Sequence, residues 1–239
     1  MIVKTPPARH NPAAMRQRTV ERMCQTLIDW RSAFHRNALQ RSYQARAFTL
    51  IELLVVIAII AILIGLLFPA FRAVQNQAKQ TQAKNDLTQI VNAVNAYYTD
   101  YGKYPLVTAD TIYGPAGTPN NLLFNELRAT AAATQNPRQI VFINPPYVKT
   151  PANPRSGIAT QATTINGISV AINDYVDPWG TPYNVAIDGG YDNQLTNPYT
   201  ANTGAGPSPL AIGVIAWSRG RDQVQGTDFS ASDDVISWQ

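Results

Sequence analysis

"RAFTLIELLVVIAIIAIL", residues 46–63, is apolar enough to cross a membrane, yet it carries one carboxylate, Glu52, near its start and arginines only at its leading end. From Leu53 to Phe71 the chain runs for nineteen residues without a charge. At ~1.5 Å per residue, a helix of that length spans roughly the ~30 Å hydrocarbon core of a bilayer. A buried helix of a soluble core normally keeps a polar stripe, which this run lacks. A secretory signal peptide has an apolar region of only ~7–15 residues and ends at small residues; this run ends in Pro69, Phe71 and Arg72. Residues 48–71 therefore read as a transmembrane anchor. Arg41 and Arg46 lie just before it, with Arg31 and Arg36 further upstream. By the positive-inside rule the N-terminus is cytoplasmic and everything after the anchor faces outward.

Charge divides the chain at the same place. Residues 1–47 hold nine Lys/Arg and two Asp/Glu, whereas the remaining 192 hold ten Lys/Arg and thirteen Asp/Glu. The basic character belongs to the leading segment, so a nucleic-acid partner for the main domain has no electrostatic footing. Cys24, His10 and His35 also precede residue 48, and no Cys or His follows. Thiol nucleophiles, His bases, disulfides and zinc sites with nitrogen or sulfur ligands are thereby excluded from the larger part of the protein. A metal bound there must be held by oxygen, which favours calcium or magnesium.

The helical pattern continues beyond the anchor. Val74, Ala78, Leu87, Ile90, Val91, Val94, Tyr97 and Tyr98 recur mostly at spacings of three and four, opposite a polar face of Gln75, Gln77, Lys79, Gln82, Lys84 and Asn85. One helix from about Thr49 to Tyr98 is expected, with a lipid-soluble first half and an amphipathic continuation in residues 72–105. Pro69 removes one backbone donor and is expected to kink or open the helix there. Asp100, Gly102 and Pro105 mark its end.

From 106 to 239 the chain turns to Pro, Gly, Asn and Thr punctuation around short apolar runs. "LLFNELRATAAA" (122–133) predicts a short helix, and "RQIVFIN" (138–144) a strand or helix end. "GISVAIND" (167–174), "PYNVAID" (182–188), "LAIGVIAWS" (210–218) and "DVISW" (234–238) predict strands. Residues 145–165 and 189–209 read as loops. The expected fold class is α+β, a long N-terminal helix packed on a small antiparallel sheet.

Glu52 needs a partner, because a carboxylate in lipid costs a few kcal/mol on insertion scales. In one reading, Thr49-Leu50-Ile51-Glu52 is a capping box that satisfies free backbone N–H groups at a helix start. In the other, Glu52 pairs with a cation that arrives only after processing and assembly.

The segment "AFTLIELLVVIAIIAIL", with a small residue before Phe48, Glu52 at the fifth position after the cut and Pro69 at the twenty-second, resembles the class III signal segment of type IV pilins and type II secretion pseudopilins. The resemblance implies that a prepilin peptidase removes the basic leader 1–47 by cutting between Ala47 and Phe48, and that the new Phe48 amine is N-methylated. It also implies that Glu52 neutralises the terminal amine of a neighbouring subunit in a helical filament of identical chains. Two features depart from the family: Ala47 stands where Gly is usual, and the leader is long. Met15 and Met23 are alternative starts, and residues 19–34 are mildly amphipathic.

"YYTDYGKYP" (97–105), "DPWGTPY" (177–183) and "AWSRGRDQ" with "SDDVISW" (216–238) resemble segments of major pseudopilins; residues 106–174 match less well. In that group a C-terminal loop binds calcium, which maps onto Asp222, Asp233 and Asp234, with Asp228 nearby. Arg219 and Arg221 flank Asp222, so a guanidinium could take the place of the ion. The same aspartates are also ordinary turn and strand-cap residues. Trp179, Trp217 and Trp238 are expected in the core.

The resemblance implies a pilin-like, non-enzymatic structural subunit of the inner membrane with a periplasmic domain. It would polymerise into a pseudopilus driving type II protein secretion, on a membrane platform powered by a cytoplasmic ATPase. The chain has no G-x-x-x-x-G-K-[ST] loop of its own. A minor tip or binding subunit and a type IV pilus component are the alternatives.

Overall fold

The computed structural model describes residues 48–201 and 204–239. The leader, Ala47 and the amphipathic stretch 19–34 lie outside the described residues. Contacts divide the chain into two units, meeting between Ile59 and Ile60. The described part of the first is the start of a helix; the second holds the sheet and its core.

Helix α1 runs Leu50–Tyr101 as a single helix, three residues longer at its end than expected. The helical assignment is unbroken at position 69. Gly102 follows with φ +69°, and its N–H donates to the Tyr98 carbonyl at 2.8 Å, the usual left-handed glycine stop. In its second half, Ala83, Leu87, Ile90, Val94 and Tyr97 are buried, one residue per turn on a single stripe.

The remaining elements are β1 (Thr111–Tyr113), α2 (Asn120–Leu127), β2 (Gly157–Ile158), β3 (Thr163–Ile165), β4 (Ile168–Val170), β5 (Tyr175–Val176), β6 (Asn184–Ile187), β7 (Val214–Ser218), a 3-10 turn at Phe229–Ala231 and β8 (Val235–Ile236). Four strands form an antiparallel sheet in the order β1-β6-β7-β8. Its register places Tyr113 opposite Val185, Val185 opposite Ala216, and Trp217 opposite Ile236.

Both faces of this sheet are covered. Alternate residues Val185, Ile187, Val214 and Ala216 pack with the α1 stripe, Phe124 of α2, Tyr175 and Tyr183. The intervening Ala186, Ile215 and Trp217, with Ile236, pack under Leu195, Tyr199, Ala205 and Leu210. The period-two alternation of a strand thus feeds two cores. The observed class is α+β, a long N-terminal helix on small antiparallel sheets, as expected. Trp179 and Trp217 are buried, and Trp238 packs against the second core.

Several local expectations require correction. Residues 138–144 form neither strand nor helix. Pro137, Pro145 and Pro146 bracket them, and Phe142 and Ile143 instead donate to the Leu127 carbonyl. α2 stops at Leu127 and does not reach 133, because Ala129 takes φ +52° and the buried carboxylate of Glu126 draws in Thr134 and Gln135. The supposed loop 145–165 contains β2 and β3. β3 pairs with β4 across Asn166-Gly167, both at positive φ, the two-residue hairpin turn that Asn-Gly favours. β1 was not anticipated, although Thr, Ile and Tyr are all strand-favouring.

Buried carboxylates tie these layers together. Asp86 of α1 accepts from the Tyr183 hydroxyl at 2.9 Å. Asp174 accepts from the backbone N–H of Asn121 and Ala171. Asp177, fully buried, takes the N–H groups of Trp179, Gly180 and Thr181 on Oδ1 and the Ser218 hydroxyl on Oδ2 at 2.5 Å, joining the "DPWGTPY" turn to β7. Burial raises the pKa of Asp86, Asp174 and Asp234, and raises Asp177 to about 6 against its hydrogen bonds.

Two predictions follow from this packing. Leu87→Ala, at a fully buried position of the α1 stripe, should destabilise the domain by about 2–5 kcal/mol, read as a lower urea midpoint. Carboxyls with raised folded-state pKa bind protons more readily in the native state than in the unfolded chain. For Asp177 the stabilisation is complete below about pH 4 and is lost as pH rises through about 6. The urea midpoint should therefore fall between pH 4.5 and 7, and Asp177→Asn should flatten that slope; a midpoint that rises across the window would refute this assignment.

Candidate functional site

The start of α1 is built from Thr49 and Glu52. Glu52 Oε2 accepts from the Thr49 backbone N–H and from the Thr49 hydroxyl, each at 2.8 Å, while the Glu52 N–H donates back to Thr49 Oγ1 at 3.2 Å. This is the reciprocal capping box that the Thr-x-x-Glu spacing allows. Oε1 has no hydrogen bond among the described residues, so the carboxylate keeps one oxygen for a second partner. Phe48 is 77% exposed.

Beyond the cap, every described hydrophobic side chain of the anchor is open. Leu53, Ile57, Ile60, Leu63, Leu67 and Phe71 are each about half or more exposed, and no residue of the most apolar window is buried within the chain. Such a length of contiguous apolar surface is far beyond what a soluble monomer exposes, and it requires lipid or other helices around it. Arg72, the first charge after the run, lies 4.8 Å from the centre of the Phe68 ring.

The C-terminal loop brings Asp222, Asp233 and Asp234 into one region but does not converge them. Asp222 Oδ1 accepts from the Val224 N–H in a local turn. Asp233 Oδ2 accepts from the N–H groups of Arg221 and Asp222, and Asp234 Oδ2 from the Tyr199 hydroxyl and the Gly226 N–H. Gly220 sits at φ +66°, where a Cβ would strike the Asp233 carbonyl, so the turn depends on glycine. Asp228 caps the 3-10 turn through Ser230.

Tested against calcium, this donor set is partial. Asp233 Oδ1 and Asp234 Oδ1 are buried without a hydrogen-bond partner, as a cation ligand would be. Yet among the described residues no three Asp, Glu, His or Cys side chains group as a metal site, and Ca²⁺ takes six to eight oxygens. Neither Arg219 nor Arg221 forms an ion pair among the described residues; Arg219 nevertheless feels the Asp234 charge, while burial pulls its own pKa down.

Sequence reasoning missed the structural role of Asp177. Its signal is the Asp-Pro-x-Gly turn itself, where a carboxylate can collect the N–H groups that follow it.

A family motif falls on the same segment. The prokaryotic N-terminal methylation motif matches residues 43–68. Fimbrial protein EcpC of Eikenella corrodens is 37% identical over 89 residues, which cover 37% of this chain and 57% of that relative. The chain thus spans little more than half the length of this relative. No solved structure matches. The methylation motif, the capped Glu52, the uncovered apolar helix and the helix-on-sheet fold together make the chain similar to type IV pilin-like proteins.

Proposed function

We propose that this chain is a membrane-anchored structural subunit that a prepilin peptidase cuts between Ala47 and Phe48, and that then polymerises into a pseudopilus driving type II protein secretion. The observation that carries the reading is the anchor half of α1, apolar on every side and covered by nothing among the described residues. A bilayer stores that surface in the monomer, and neighbouring anchor helices cover it in a filament. The monomer would sit in the inner membrane with its sheet domain in the periplasm, the orientation favoured by the upstream arginines. Self-association, a secretion platform and a cytoplasmic ATPase complete the assembly. The subunit has no catalytic role in this proposal.

Glu52 has two successive partners here. In the monomer, Thr49 holds Oε2; in the filament, the free Oε1 meets the methylated amine of Phe48 from a neighbouring chain. The fimbrial relative favours a second reading, a type IV pilus component built in the same way. Deleting the gene separates the two, because loss of protein export supports the secretion reading and loss of surface fibres with intact export supports the pilus.

The mature protein should begin at N-methylated Phe48, read by intact-mass and N-terminal analysis from native membranes. An uncut leader in the presence of active peptidase would overturn the filament reading in favour of a permanent anchor. Glu52→Val should leave membrane insertion intact while lowering fibre yield; fibres formed at the normal level would reduce Glu52 to a helix cap.

Calcium enters the proposal as a ligand of the free Asp233 and Asp234 oxygens, completed by backbone carbonyls and water. Adding calcium should then raise the Tm of the chain, and Asp234→Asn should abolish that response. A Tm indifferent to calcium and to chelator assigns the loop to hydrogen bonds alone.

A further inference from the structure

Four of the ten basic residues that follow Phe48 line a single groove of about 660 Å³, and no carboxylate shares its lining. Arg72 and Lys79 reach it from α1, Arg155 from the loop before β2, and Arg221 from the C-terminal loop. This concentration stands out because the chain after Phe48 carries more Asp and Glu than Lys and Arg. No side-chain hydrogen bond or ion pair engages these four among the described residues, so the groove's positive charge is not paired there.

The inner wall of the groove is constructed, not merely left open. Trp179 lines it, is only 3% exposed, and its Nε1–H has no acceptor. The residue is held from behind through its backbone: Asp177 Oδ1 accepts from the Trp179 backbone N–H, and Gln223 Nε2 donates to the Trp179 carbonyl at 2.8 Å. Asn166, at the tip of the β3–β4 hairpin, donates to Gln223 Oε1 at 2.5 Å. An unsatisfied buried donor in a wall shared with four cations asks for an acceptor with negative charge.

Position selects the anion. Arg72 directly follows the last apolar residue of the anchor, and Lys79 lies ~10 Å further along the helix by its rise. The headgroup zone of a bilayer adds ~5–7 Å on each side of the hydrocarbon core, so Arg72 lies at its inner boundary and Lys79 a few Å beyond its outer one, within reach of a long side chain. The geometry points to a site for a phosphate group, supplied by the headgroup of an anionic phospholipid in the outer leaflet. Arg72, Lys79, Arg155 and Arg221 hold the phosphate oxygens, and the Trp179 indole Nε1–H closes the inner side. The assignment rests on the membrane-anchored monomer proposed above, and it gives the stored subunit a fixed seat on the membrane surface.

The test uses the full chain in nanodiscs of phosphatidylcholine alone and of equal parts phosphatidylcholine and phosphatidylglycerol. Lipids that remain bound after release are counted by native mass spectrometry. Phosphatidylglycerol should be retained about ten-fold over phosphatidylcholine. The double variant Arg155→Gln/Arg221→Gln should erase most of that preference, since each basic residue near a membrane surface is worth a factor of about five. Lys103→Gln/Lys149→Gln, an equal loss of charge outside the groove, should leave it unchanged. Equal retention of both lipids, or equal loss in the two double variants, overturns the site. A chain that inserts into neither nanodisc overturns the anchoring reading and this proposal together, whereas one that inserts without lipid preference overturns the groove alone. If ~10 mM inorganic phosphate shifts the Trp179 indole N–H resonance in phosphatidylcholine nanodiscs and no lipid preference is seen, the phosphate is free and the lipid assignment falls. Reduced fibre yield from Arg155→Gln/Arg221→Gln without any lipid preference would transfer the groove to an acidic face of a second copy.

Discussion

The structure depends on one helix having to satisfy two solvents. The anchor half of α1 has no polar side chain among nineteen residues and finds no protein to cover it. The following half places Ala83, Leu87, Ile90, Val94 and Tyr97 on one stripe and buries them against a sheet. Both halves keep the same backbone, because a helix satisfies its own peptide groups whether apolar or polar surroundings meet its side chains.

The sheet domain is small and has to use both faces of four short strands. Alternation in β6 and β7 divides their side chains between the α1 core and a second core under residues 195–210. Strands of two to five residues supply few ladder bonds. Buried carboxylates make up the difference by collecting several donors each, with Asp177 joining a turn to β7 and Asp86 joining helix to sheet. Their cost is desolvation, which appears as raised pKa values. The Asp177 turn also sets Trp179 at the basic groove, so the packing of the core and the chemistry of that groove share one residue network.

The long helix, its stop at Gly102, the strands centred on 184–187 and 214–218, and the Thr49–Glu52 cap were legible in the sequence. Each is governed by local rules of hydrophobic period, glycine conformation or fixed side-chain spacing. The β3–β4 hairpin was equally legible, since Asn166-Gly167 is a strong turn signal, but it was overlooked between polar residues. The stretch 138–144 misled because its apolar content suggested a strand while its flanking prolines denied it the donors. The early stop of α2 could not be read, because Glu126 captures donors eight and nine residues away only once it is buried.

By itself the sequence determined the long apolar run, the class of the fold and the resemblance to pilin-like proteins, because hydropathy, helical period and the residues of the methylation motif are properties of contiguous chain. Tertiary structure alone decided which aspartates serve as structural acceptors, that Asp222, Asp233 and Asp234 do not close into a three-carboxylate set, and that Arg72, Lys79, Arg155 and Arg221 share a groove beside Trp179. Those facts join residues as far as 149 positions apart, and no local spacing rule reaches that far. They follow from how the chain closes its two cores.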